Sequence, residues 1–110
     1  MSARAIAFLL VLVPGALAQP VAVPRITPDG GSFASAELVE IQNLNSAGTI
    51  FFSVDGSDPR TPFGTVAQTA RSYSDPLSIN RSTHVPARVK SGTNWSDVVS
   101  AAFSMEHDFS

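Results

Sequence analysis

Turn-forming residues cut most of this chain into segments that are too short for helices. From Arg25 onwards, clusters of Pro, Gly, Asp and Ser interrupt the chain, and the alternating segments between them are only about four to nine residues long. Short segments bounded in this way are typical of β-strands. The spacing therefore predicts an all-β protein. The clusters are Pro28-Asp29-Gly30-Gly31, Asp55-Gly56, Asp58-Pro59, Asp75-Pro76 and Ser91-Gly92.

Within these segments, apolar and polar residues alternate with a period of two. Such alternation turns one face of a strand toward a core and the other toward solvent. Four clear strands, with weaker ones near Ile26 and at residues 77–79, predict a six- or seven-stranded antiparallel sandwich of the immunoglobulin or fibronectin type III class. The residues predicted to face inward are Val39, Ile41, Ile50, Phe52, Val54, Val85, Ala87, Val89, Ala101, Phe103 and Met105.

The first 18 residues have the order of a secretory signal peptide. Arg4 is followed by an apolar stretch at residues 5–13, a Pro14-Gly15 break and the small-x-small site Ala16-Leu17-Ala18. We therefore predict cleavage that leaves Gln19 as the N-terminus of a secreted or extracytoplasmic protein, in some settings associated with the cell surface. The apolar stretch is far shorter than the roughly 20 residues that span a bilayer, so we do not expect an integral membrane protein.

The remaining length holds one domain. We predict a signal peptide at residues 1–18, an extended leader at 19–24, the β-sandwich at 25–105 and a polar tail at 106–110. One connection, residues 56–72, is long for a compact domain and is either a functional loop or a mobile one.

Charge and cysteine content exclude several classes of function. The chain has 7 Lys and Arg against 9 Asp and Glu, a net charge of −2 that becomes more negative once Arg4 is removed. Such a module is a poor partner for nucleic acid. It has no cysteine, which excludes disulfides and thiol chemistry, so its stability must come from packing.

Four ordered motifs resemble those of one known family. Together they cover about residues 25–105, and they resemble the chitobiase/β-hexosaminidase C-terminal-type domain. The resemblance implies a fibronectin-III-like sandwich that serves as a non-catalytic accessory unit in secreted and cell-surface bacterial proteins, often beside glycoside hydrolases. The motifs are residues 26–33 (ITPDGGSF), 49–60 (TIFFSVDGSDPR), 73–77 (YSDPL) and 87–96 (ARVKSGTNWS).

The sequence departs from the family pattern at two places. Asp75-Pro76 replaces a Gly-Pro turn, and Pro86 stands where relatives have a strand residue such as Lys. Because proline removes a donor from the hydrogen-bond ladder, Pro86 predicts that its strand lies at a sheet edge or is bulged there.

The segment from Asp55 to Pro59 is open to two interpretations. As a structural turn, Gly56 takes a positive φ, Asp55 and Asp58 accept hydrogen bonds from backbone N–H groups, and Pro59 ends the pairing. As a calcium site, its two carboxylates and one hydroxyl would be the ligands, but the repeated Asp and distal Glu of a calcium loop are missing. We favour the turn and expect no metal and no cofactor.

Trp95 is the only tryptophan and also has two interpretations. An exposed indole could form a sugar-binding platform with Tyr73 or Phe63, whereas the favoured interpretation packs it against the sandwich.

We expect that the chain is not an enzyme, because His84 and His107 lack the spacing of a catalytic site. We predict a spacer or interaction unit whose partner, a polysaccharide or a cell-surface protein, is unknown. The alternatives are a carbohydrate-binding accessory protein and a remnant of a larger surface protein or glycoside hydrolase.

Overall fold

The computed structural model describes residues 20–106. The predicted signal peptide lies outside this range, as do Gln19 of the leader and residues 107–110 of the tail. Within the range, the backbone forms nine β-strands and no helix. The strands are β1 (Arg25–Thr27), β2 (Gly31–Phe33), β3 (Glu37–Gln42), β4 (Thr49–Phe52), β5 (Arg71–Ser72), β6 (Leu77–Ile79), β7 (Thr83–Ser91), β8 (Asn94–Trp95) and β9 (Val99–Met105).

The strands form two sheets, which confirms the predicted all-β sandwich. The smaller sheet has the order β1-β3-β6, and the larger has the order β2-β9-β7-β4-β5 with β8 also paired to β7. Strands β2 and β9 run parallel, while the other pairs are antiparallel. The larger sheet is thus built around β7, which is its longest strand.

Gly30 brings β2 alongside β9. Its φ is +121°, a value that side chains disfavour, and a Cβ atom there would lie 2.8 Å from the carbonyl oxygen of Ala102. Only glycine therefore allows the chain to leave β1 in one sheet and enter β2 beside β9 in the other.

The apolar core lies between the sheets and follows the predicted alternation closely. Met105 is only partly buried at its margin, and the prediction for Val54 is wrong, because β4 ends at Phe52 and leaves Val54 38% exposed. The buried core residues are Ile26, Phe33, Val39, Ile41, Ile50, Phe52, Ile79, Val85, Ala87, Val89, Ala101 and Phe103.

The prediction that Pro86 marks an edge or a bulge is wrong. Its strand, β7, is central, and Pro86 pairs with Ser100 of β9 in an unbroken register. The Pro86 carbonyl accepts a hydrogen bond from the Ser53 N–H at 3.2 Å, so the backbone of Pro86 faces the β4 side. Since the β4–β7 pairing ends at Phe52 and Ala87, the N–H group that Pro86 lacks falls just beyond the last regular pair, and the ladder loses little.

Within residues 20–106 there is no helix long and apolar enough to cross a membrane.

Candidate functional site

The loop between β4 and β5, residues 53–70, begins with the turn that the sequence singled out. Gly56 has a φ of +83°. The Asp55 Oδ1 atom accepts hydrogen bonds from the Ser57 N–H at 3.0 Å and from the Ser57 hydroxyl at 2.6 Å. These bonds, chiefly the one from the hydroxyl, hold the pKa of Asp55 below its usual value. Asp55 therefore stabilises the local turn as a carboxylate.

Asp58 connects the same turn to the large sheet. Arg88 of β7 donates two hydrogen bonds to the Asp58 carboxylate, from Nε to Oδ1 at 2.8 Å and from Nη2 to Oδ2 at 2.7 Å. The Arg60 N–H donates to the same carboxylate at 2.9 Å. The Arg88 bonds lower the pKa of Asp58, and in return the pKa of Arg88 is raised.

The two carboxylates that a calcium ion would need already have hydrogen-bond partners. The carboxylate of Asp58 is paired with a guanidinium, and that of Asp55 is bonded to Ser57. In the part of the chain that the structure describes, no three His, Cys, Asp or Glu side chains lie close enough together to hold a metal ion. The hydrogen bonds of the two carboxylates hold the start of the loop against the large sheet.

The outer half of the loop is a narrow hairpin. Arg60 and Val66 form an antiparallel bridge, the Ala67 N–H donates to the Pro59 carbonyl at 2.8 Å, and the Thr61 N–H donates to the Thr65 carbonyl at 2.9 Å. The hydroxyls of Thr61 and Thr65 are also joined, at 2.7 Å. Phe63 lies at the apex, with 93% of its surface exposed.

Trp95 supports this hairpin from the sheet. Its indole Nε1–H donates to the Gly64 carbonyl at 2.8 Å, and its ring is tilted against Phe51, with the centroids 5.9 Å apart. Trp95 stands opposite Lys90 of β7, whose Nζ lies 5.9 Å from the indole ring. The half-buried indole thus holds the residue next to Phe63 over the outer face of the large sheet.

Tyr73 lies on the other face of that sheet. Its ring contacts Phe52 edge-on, with the centroids 6.2 Å apart, and it packs against the core. Phe51 and Phe52 are adjacent in β4 and point to opposite faces, so Trp95 and Tyr73 lie on opposite faces as well. Of the two partners considered for Trp95, Tyr73 is therefore not brought to it. Phe63 lies next to Gly64, the loop residue to which Trp95 of β8 is bonded.

Three further site residues were not recognised from the sequence. They are Arg88 and the two threonines that close the hairpin, Thr61 and Thr65. The alternation in β7 indicates that Arg88 faces outward, but its partner Asp58 is 30 positions away. Of the two histidines, His84 lies exposed on β7 beside Gly56, and His107 is outside the described residues.

A family model described as Fn3 associated matches residues 39–103, which is more than half of the chain. The chain belongs to the Fn3-associated family. This family is found at the C-terminus of chitobiase-type proteins, so the resemblance noted in the sequence is confirmed. No curated protein and no solved structure matches the chain.

The Fn3-associated match runs from the middle of β3 to the middle of β9. It therefore includes the whole β4–β5 loop and the residues that anchor it. Fn3-associated domains are accessory domains that are generally non-catalytic.

Proposed function

We propose that this protein is a secreted, non-catalytic accessory module that binds a protein partner through the apex of its β4–β5 loop. The observation that carries the proposal is Phe63, a large aromatic side chain held almost fully in solvent at the tip of a braced hairpin. Burying a phenylalanine side chain is worth about 1.5–3 kcal/mol. Aromatic residues are enriched in the buried centres of protein interfaces for this reason.

The bracing of the loop supports binding more than a role as a passive spacer. Arg88 fixes one end, Trp95 fixes the residue after the apex, and the Ser57 and Thr69 hydroxyls join the two arms of the loop at 2.7 Å. A loop that is ordered before binding loses less conformational entropy when it docks, which raises affinity. A spacer does not require an ordered loop with an exposed phenylalanine at its apex.

The test is site-specific photo-crosslinking. The full chain is produced in a secreting host with p-benzoylphenylalanine in place of Phe63, and irradiated on intact cells. A matched chain carries the same group at Leu38, an exposed apolar residue of β3. We expect one discrete adduct from position 63 and none from position 38. Equal labelling from both positions, or none from either, would support the spacer and overturn the proposal.

A pull-down on insoluble polysaccharides separates a protein partner from a glycan partner. Chitin, cellulose and peptidoglycan are incubated with the wild-type chain and with Phe63→Ala. If the loop docks on protein, neither chain is retained. Retention of the wild type that is lost with Phe63→Ala would instead identify the loop as a carbohydrate-binding surface, and would replace the protein partner in the proposal.

A further inference from the structure

A groove opens between the two sheets where β5 and β6 form their edges. It has a volume of about 640 Å³, within the range of roughly 300–1,000 Å³ that small-ligand sites occupy. Buried Phe52 and Ile79 contribute to its floor, with Leu77 beside them. Val54 and Pro76 extend the apolar lining. The exposed position of Val54, which the core does not explain, thus belongs to the wall of this groove.

Two arginines line the groove. Arg71 stands directly opposite Phe52 in the β4–β5 ladder, and side chains that stand opposite each other project from the same face of a sheet. Arg71 is therefore on the inner face, at the open edge. Arg81 lies in the connection from β6 to β7, where its carbonyl accepts a hydrogen bond from the Thr83 hydroxyl at 2.8 Å.

Neither guanidinium has a carboxylate partner among the residues described. Within residues 20–106 the ion pair that forms is that of Arg88 with Asp58, and no Asp or Glu lines the groove. Two cations beside an apolar floor, without a neutralising group, favour a ligand that carries negative charge.

The remaining lining groups are hydroxyls and an amide. Ser78 and Asn80 are exposed at the groove, and Thr83 lies beside them. Such groups bond to ligand hydroxyls, while the apolar floor suits the C–H face of a sugar ring. We propose that this groove binds an acidic saccharide, with the carboxylate of a uronate unit bound by Arg71 and Arg81. The proposal does not depend on the role of the β4–β5 loop.

Calorimetric titration of the full chain tests the proposal with three matched probes. These are trigalacturonate, its methyl ester, which keeps the rings and removes the charge, and triglutamate, which keeps the carboxylates and removes the rings. We expect trigalacturonate to bind and the other two to bind at least about tenfold more weakly, since one charge-assisted contact is worth roughly tenfold or more.

Substitutions identify the site. Arg71→Gln and Arg81→Gln should each weaken trigalacturonate binding about tenfold, while Arg25→Gln, an exposed arginine of β1 outside the groove, should leave it unchanged. All three positions are exposed, and unchanged thermal melts would show that the variants fold. Three results would overturn the proposal: no binding of trigalacturonate, binding unaffected by both groove variants, or equal binding of triglutamate.

Discussion

Arg88 of β7 binds two separate segments of the chain, the β4–β5 loop at Asp58 and the residue after β8, Ser96. Its guanidinium donates two hydrogen bonds to Asp58 and a third, from Nη1, to the Ser96 carbonyl at 2.8 Å. The Arg88 side chain is only 16% exposed, while that of Asp58 is 46% exposed. The bidentate geometry makes the pair stronger than an ordinary surface ion pair, but solvent screening at Asp58 limits its contribution to about 1 kcal/mol.

This pair makes a prediction about pH. Since the pKa of Asp58 is lower in the folded chain than in the unfolded one, the stabilisation is present above the unfolded pKa and is lost as pH falls through the folded value. Asp58→Asn should therefore lower the free energy of unfolding by about 1 kcal/mol at pH 7 and by less at about pH 2, which is below the unfolded pKa. Urea unfolding at both pH values measures this, with Asp29→Asn as the control. A loss that is the same at both pH values would contradict the assignment.

The hydroxyl of Ser96 satisfies a backbone N–H group inside the sheet. Ser96 is buried, and its Oγ accepts a hydrogen bond from the Val89 N–H at 2.9 Å while donating to the Asp97 carbonyl at 2.8 Å. Ser96→Ala leaves a buried backbone N–H unpaired and should cost about 1–3 kcal/mol. Ser104→Ala, at an exposed position of β9, should stay within about 0.5 kcal/mol of wild type. Chemical denaturation compares the two; equal effects would refute the role of the Ser96 hydroxyl.

Strand β4 has one aromatic side chain in the core and one on the outer face, where the candidate site lies. Phe52 faces inward and is buried, whereas Phe51 faces outward and is half-buried against Trp95. Phe52→Ala should therefore cost about 3–5 kcal/mol, with Phe51→Ala costing clearly less. Phe103→Ala, also buried, serves as the matched core control and should resemble Phe52→Ala. Denaturant midpoints and slopes measure all three, and equal losses at positions 51 and 52 would mean that the faces are assigned wrongly.

The elements also show what the sequence can and cannot predict. Alternation placed the faces of β3, β7 and β9 correctly, because a core against one side of a sheet imposes a period of two. It failed at Val54, since alternation does not reveal where a strand ends. Pro86 was misjudged because its neighbours across the sheet are set by tertiary pairing. The Asp58–Arg88 pair and the groove join residues from distant segments, so local patterns could not reveal them.

The whole sandwich is held together without disulfides. The chain has no cysteine, and the described core and the residues packed on it lie between Val21 and Met105. All nine strands fall within the same limits. Removal of residues 1–18 would thus leave every described strand and core residue in place.

Export of the chain is expected to depend on residues 1–18. Mass spectrometry of medium from a secreting host should find a chain that begins at Gln19, because residues 1–18 have the charge, apolar stretch and small-residue site of a signal peptide. Leu9→Arg combined with Leu10→Arg interrupts the apolar stretch and should keep the protein inside the cell. Leu38→Arg combined with Leu44→Arg adds the same charge at exposed positions of the domain and should leave export intact. An uncleaved chain that still begins at Met1 and fractionates with membranes would contradict the prediction.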